Sequence, residues 1–260
     1  MGDTSSGTSS VTRVPLETFA GQCQRSLQPV AERVSYFSAV NLDADQIRQY
    51  LREPVEALPK ALLESLPALR LVLVPFLEKG PHGSTDLVSF ERPQPQRLLA
   101  RSNFDLQEAL FLFLAAEQQE VADYHYWFYN GVAALATARV DRAEVTRFTG
   151  LIVDELNRNA RGEVDERSFH LKQKLVRRQR MPGTGTKLMR QYVKQALEDT
   201  LTLYLHGLCC DIDVDPGPRQ LASRYLRRRL ELLAEVFPPG PGHPLFPAEP
   251  RPSKESPPDK

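Results

Sequence analysis

His206, Cys209 and Cys210 fall within five residues and form the densest set of soft metal donors in the chain. Thiolate sulfur and imidazole nitrogen are the ligands that zinc and other thiophilic ions take. A closed structural zinc site needs four of them, and this run supplies at most three. On a helix, adjacent cysteine side chains also diverge, so the plain expectation is a pair of buried, unreactive thiols. With Cys23 the cysteine count is odd, and there is no CxxC spacing or disulfide framework, which points to a reducing compartment.

A second donor set is spread over two helical segments: Glu117, Glu120, His125 and His206. Helical bundles build di-metal sites from such inward carboxylates and imidazoles, but those sites use Glu three residues before His, and neither His125 nor His206 has it. Asp211, Asp213 and Asp215 open like a calcium loop, yet Pro216 stands where that loop needs Gly and Ala222 where it needs Glu. No metal and no cofactor is therefore expected. The aromatic run Tyr124, Tyr126, Trp127, Phe128 and Tyr129 around His125 could line a pocket, but helical geometry divides it among several faces, and a bulky core explains it better.

The basic run is more informative. Nine Lys or Arg residues and no carboxylate lie between Arg167 and Leu197, in a chain whose 33 basic and 33 acidic residues cancel. His170, Lys174, Arg177 and Arg178 share one helical face; after MPGTGTK, Lys187, Arg190 and Lys194 form a second stripe. Such a surface suits contact with a protein partner, or the phosphates of nucleic acid or another phosphate-bearing ligand. The loop lacks the GxxxxGK[ST] pattern of a nucleotide-binding loop, and Tyr192 alone offers aromatic stacking.

The elements that must carry these residues read as helices. Phe104–Arg139 looks like one central helix, opened by Asp105 and Glu108 at capping-box spacing, apolar all round from Ala109 to Ala116, with a break at Asn130-Gly131. Apolar steps from Phe19 to Phe37 mark an amphipathic helix interrupted at Pro29. Asp43 with Gln46, and Asp141 with Glu144, open further helices. Later helices cover about 165–180, 187–210 and 219–237. Between them, about 69–91 reads as one small β-hairpin with Pro75 at an edge or bulge, or as an extended connector in its place.

The expected fold is thus mainly α, an all-α multi-helix bundle with that hairpin and disordered termini. Its parts are a disordered tail over 1–13, a single helical domain over 14–237, and a Pro-rich disordered tail over 238–260. The longest apolar run is too short to span a bilayer, and the N-terminus lacks the features of a secretory signal, so a cytoplasmic protein with no membrane span is expected. With no catalytic signature, the leading reading is a non-catalytic helical binding or regulatory module that contacts a protein partner through the basic helix pair. RNA or DNA binding by the same surface is the alternative; a bundle enzyme with a metal or small ligand in its core is the second.

Overall fold

The segment read as a central helix is two strands and a helix. In the computed structural model, which describes residues 13–81, 84–106, 108–117, 120–177, 185–210 and 219–243, ALFLFLA is a strand, β9 (Ala109–Ala115), at the heart of a sheet. It is flanked by β4 (Ala68–Val74), parallel to it, and by β8 (Arg101–Leu106), antiparallel. Because both faces of β9 are covered, the strand is apolar without alternation, and a run like that cannot be told from a buried helix by periodicity. Asp105, read as a helix cap, instead lies on β8, where it pairs with Arg139 at 2.6 Å.

The expected mainly α bundle is therefore corrected to an α/β fold. Nine strands among the described residues form two sheets, with helices packed against them. The larger sheet has the order β2 (Gln28–Ala31), β3 (Val34–Ser38), β4, β9, β8. Its three inner strands are parallel and both edge strands antiparallel. The helical steps from Phe19 to Phe37 are accounted for differently: α1 (Leu16–Cys23) stops early, and a tight turn with Arg33 at φ 67° joins β2 to β3. Pro29 sits on edge strand β2, where a missing donor costs little.

The hairpin forms in part. Pro75 ends β4, and the chain passes directly into β5 (Phe76–Glu78), which pairs with β6 (Leu87–Ser89). With β1 (Arg13–Pro15) and β7 (Leu98–Leu99) these make the smaller sheet, ordered β1-β6-β5-β7. The larger sheet thus has two apolar faces. Val72, Val74, Phe111, Phe113 and Ala115 meet α1 and the smaller sheet, while Leu69, Leu71, Leu73, Leu110, Leu112 and Leu114 meet the helical layer.

That layer is built on α5 (Val121–Thr137), which runs unbroken through Asn130-Gly131. Gly131 is there for close approach: a Cβ would stand 2.4 Å from Leu112 Cδ1 on the sheet beneath. Around α5 and its neighbour α8 (Lys187–Cys209) lie α6 (Arg142–Asn157), α7 (Glu166–Arg177) and α9 (Ser223–Val236). A capped start at Asp43 is present in full, with both reciprocal bonds to Gln46, whereas Asp141 precedes α6 without a side-chain cap bond.

A fully buried guanidinium fastens the helical layer. Arg229 of α9 donates to Glu155 of α6 at 2.9 Å and to Glu163 at 2.8 Å. Lys172 of α7 reaches Glu163 at 3.1 Å, and the Tyr192 hydroxyl of α8 donates to the same carboxylate. Burial alone would raise Glu163, but Arg229 first and then Lys172 hold it at about 2. Gly162, at φ 77°, lets Glu163 pair its backbone with Arg219 and Leu221. Of the tails expected over 1–13 and 238–260, residues 1–12 and 244–260 lie outside the described residues, whereas Arg13 lies on β1 and His243 Nδ1 stands 2.8 Å from Leu208 O.

Candidate functional site

Pro54 sets the local geometry. Its nitrogen carries no proton, so the carbonyls four and five residues earlier, Tyr50 and Gln49, lack their helical donor. These residues lie in a π-helical turn, Arg48–Arg52, between α2 (Ala44–Ile47) and α3 (Glu53–Glu56), with α4 (Lys60–Ser65) following; such turns recur at functional sites. Side chains of α5 take up both carbonyls. The Tyr124 hydroxyl donates to Tyr50 O at 2.9 Å, and His125 Nε2 lies 2.7 Å from Gln49 O.

A carbonyl only accepts, so in the neutral ring Nε2 bears the proton and Nδ1 presents a lone pair. That lone pair faces Cys210, whose Sγ is 3.3 Å away. α8 ends at Cys209, and Cys210 continues extended at φ −130°, ψ 144°. Leaving the helix between the two cysteines removes the divergence expected of neighbours on one helix. His125, Cys209 and Cys210 each bring a ligand atom to a common site, all within 4.8 Å of one another.

The electrostatics separate these thiols from the third one. Cys23 is pushed up to about 11 by burial at the end of α1, the behaviour of an inert core thiol. Cys209 is drawn down to about 6, chiefly by a hydrogen bond from Cys210 and further by one from Tyr129, against the cost of burial; the charge of His125 adds to this only in its protonated form. The Tyr129 hydroxyl, 3.1 Å from Pro54 O, has one proton to give to that carbonyl or to the sulfur. His206, one turn before Cys209, packs its ring on Tyr129 and Tyr126 with centroids 5.7 and 6.4 Å apart. Burial, and then His125, make it less basic than usual.

A thiolate, a second thiol and an oriented imidazole are the Cys2His donor set of zinc sites that keep one coordination position open. The Nε2–H bond to Gln49 O is the kind of outer contact that fixes a metal-binding imidazole. Tetrahedral zinc with bonds of about 2.0–2.3 Å places its ligands about 3.3–3.8 Å apart. The Cys210–His125 pair already meets this, and the full trio needs a contraction of about 1 Å. His125 is buried and both cysteines are half-buried, so the donors stand at the edge of the core.

Of the four metal candidates taken from sequence, His125 is in this group and His206 borders it. Glu117 and Glu120 are exposed in the turn before α5 and belong to no such grouping among the described residues. What the sequence reading missed is the alliance of His125 with the cysteines; the available signal was a proline inside a helical segment. The calcium-like residues Asp211, Asp213 and Asp215 lie outside the described residues.

His170, Lys174 and Arg177 on α7, and Lys187, Arg190 and Lys194 on α8, are all exposed, and none makes an ion pair among the described residues. Arg178 lies outside them. Lys172, from the same basic run, turns inward to Glu163. No helix of the described residues is long and apolar enough to cross a membrane. Comparison with protein-family models, curated proteins and solved structures finds no match.

Proposed function

We propose that this protein binds a thiophilic metal ion of the zinc class through His125, Cys209 and Cys210, with one coordination position left for an exogenous ligand. The observation that carries the reading is the meeting of these three donors, from two helices, around an imidazole whose far nitrogen is tied to Gln49 O. Cobalt(II) is the direct probe, since thiolate coordination gives a charge-transfer absorption in the near ultraviolet. Titration of the reduced full chain should show that band saturating at one equivalent and disappearing on zinc addition. Cys209→Ser/Cys210→Ser should abolish it, with far-ultraviolet circular dichroism unchanged. Absence of the band, or its survival in the double variant, would contradict the proposal.

A second reading rests on the exposed face of α7 and α8, whose six described basic or imidazole side chains lack acidic partners. It is the contact surface for an acidic protein partner. Lys174→Glu/Lys187→Glu/Lys194→Glu should remove a co-purifying protein that high salt also removes. Nuclease-sensitive nucleic acid in place of that protein would overturn this choice of partner.

A further inference from the structure

On another side of α5, away from the cysteines, Trp127 and Asn130 face a cavity of about 570 Å³. Its other walls come from the Leu98–Ala100 backbone region, Arg101 at the start of β8, Arg167 in the first turn of α7, and Arg92. The volume is in the range of small-molecule sites. Among the described residues no carboxylate lines it, whereas three guanidiniums do.

Arg101 is held in place from behind. Its Nε donates to Asn130 Oδ1 at 2.8 Å and its Nη1 to Asn103 Oδ1 at 3.0 Å, while Asn130 in turn donates to Thr202 at 3.2 Å. Glu198 stands off at 3.6 Å from Nη2, a loose pairing for a guanidinium with only 14% of its side chain exposed. Arg92 and Arg167 form no ion pair among the described residues. The cationic charge of Arg167 also bears on Arg101, whose basicity is lowered first by burial, partly restored by Glu198, and lowered again by Arg167. Like charges gathered at one cavity are relieved by an anion, and guanidinium forks match phosphate oxygens. Trp127 adds a flat face beside them, already edge-on to Tyr126 at 5.0 Å.

We infer that this cavity binds a phosphorylated small molecule bearing an aromatic ring, of the mononucleotide class, with Arg92, Arg101 and Arg167 on the phosphate and Trp127 against the ring. The site is separate from the cysteine–histidine group and does not rest on the metal reading. Trp127 is the only tryptophan of the chain, so its fluorescence reports the cavity without interference. Titration of the full chain with AMP, GMP, CMP and UMP, excited at the red edge of the indole band, should give saturable quenching with at least one of them. Arg92→Met/Arg167→Met removes two exposed side chains that tie no elements together and should weaken that binding at least about tenfold. Unchanged affinity in this double variant overturns the proposal, as does the absence of saturation with all four nucleotides. Adenosine binding as tightly as AMP would refute the role of the arginines on phosphate. Inorganic phosphate competing as well as AMP would refute the role of Trp127.

Discussion

At the scale of single residues, what makes two adjacent cysteines useful is the end of a helix between them. Cys209 is the last residue of α8 and Cys210 is extended, so two sulfurs that a continuous helix would separate face one imidazole. Nearby in the same helix, Asp199 presents the opposite situation. It is 5% exposed; Gln195 donates to Oδ1 at 2.8 Å, but Oδ2 has no hydrogen bond among the described residues. Ser168 is within reach, yet its single proton is given to Asp165 O at 3.0 Å. Burial raises this carboxyl from its ordinary 3.8 to about 6. A carboxyl with a raised folded value binds its proton more tightly in the native state, so it lowers stability as pH rises between about 4 and 6. Asp199→Asn should remove that penalty, stabilising the protein at pH 7 by about 2–3 kcal/mol and leaving it unchanged at pH 3.5. Urea denaturation at the two pH values checks this; equal effects at both would contradict it.

At the scale of elements, the buried cluster of Arg229, Glu155, Glu163 and Lys172 does for α6, α7 and α9 what a larger apolar seam would otherwise do. Arg229→Met leaves two buried carboxylates without their main counter-charge and should cost about 3–5 kcal/mol at neutral pH. Glu163 has a depressed folded value, about 2 against an ordinary 4.5. Its stabilising share is therefore complete above about 4.5 and is lost as pH falls towards 2. The cost of Arg229→Met should accordingly shrink through that window, as chemical denaturation between pH 5 and 2.5 would record.

Elements also mark how far the sequence could be read. The helices from Asp141 onward were legible because most keep a wet face beside an apolar stripe, as in α9 with Leu230 and Leu233. Ala109–Ala115 was not, since Leu and Phe carry no preference for strand over helix strong enough to outweigh its two buried faces. The inward roles of Arg229 and Lys172 were not legible, because nothing in local spacing reveals an acidic partner 66 or 9 residues away. The donor trio was half legible. His206, Cys209 and Cys210 announce themselves by spacing, but His125 is 85 residues from Cys210 and is oriented by a π-turn that only Pro54 hints at.

At the scale of the whole molecule, one five-stranded sheet separates two unlike halves. On one side α1 and the smaller sheet close an apolar layer over Val72, Phe111 and Phe113. On the other lies the helical layer, which holds the cysteine–histidine trio and the exposed basic face, while the arginine-lined cavity lies where α5 and α7 meet β7 and the start of β8. α5 links trio and cavity, with His125 and Tyr129 directed to the trio, and Trp127 and Asn130 to the cavity. Zero net charge conceals this arrangement, since the acidic partners of the buried cations are internal and the exposed α7–α8 cations form no ion pair among the described residues.

The central claim is that His125, Cys209 and Cys210 together take a thiophilic ion, and X-ray absorption at the zinc edge on the full chain loaded with one equivalent of zinc tests it most directly. Zinc bound as proposed gives a first shell containing two sulfurs at about 2.3 Å and at least one imidazole nitrogen at about 2.0 Å, with both sulfur scatterers lost in Cys209→Ser/Cys210→Ser. A shell of nitrogen and oxygen alone, or one that the double substitution leaves intact, would contradict it.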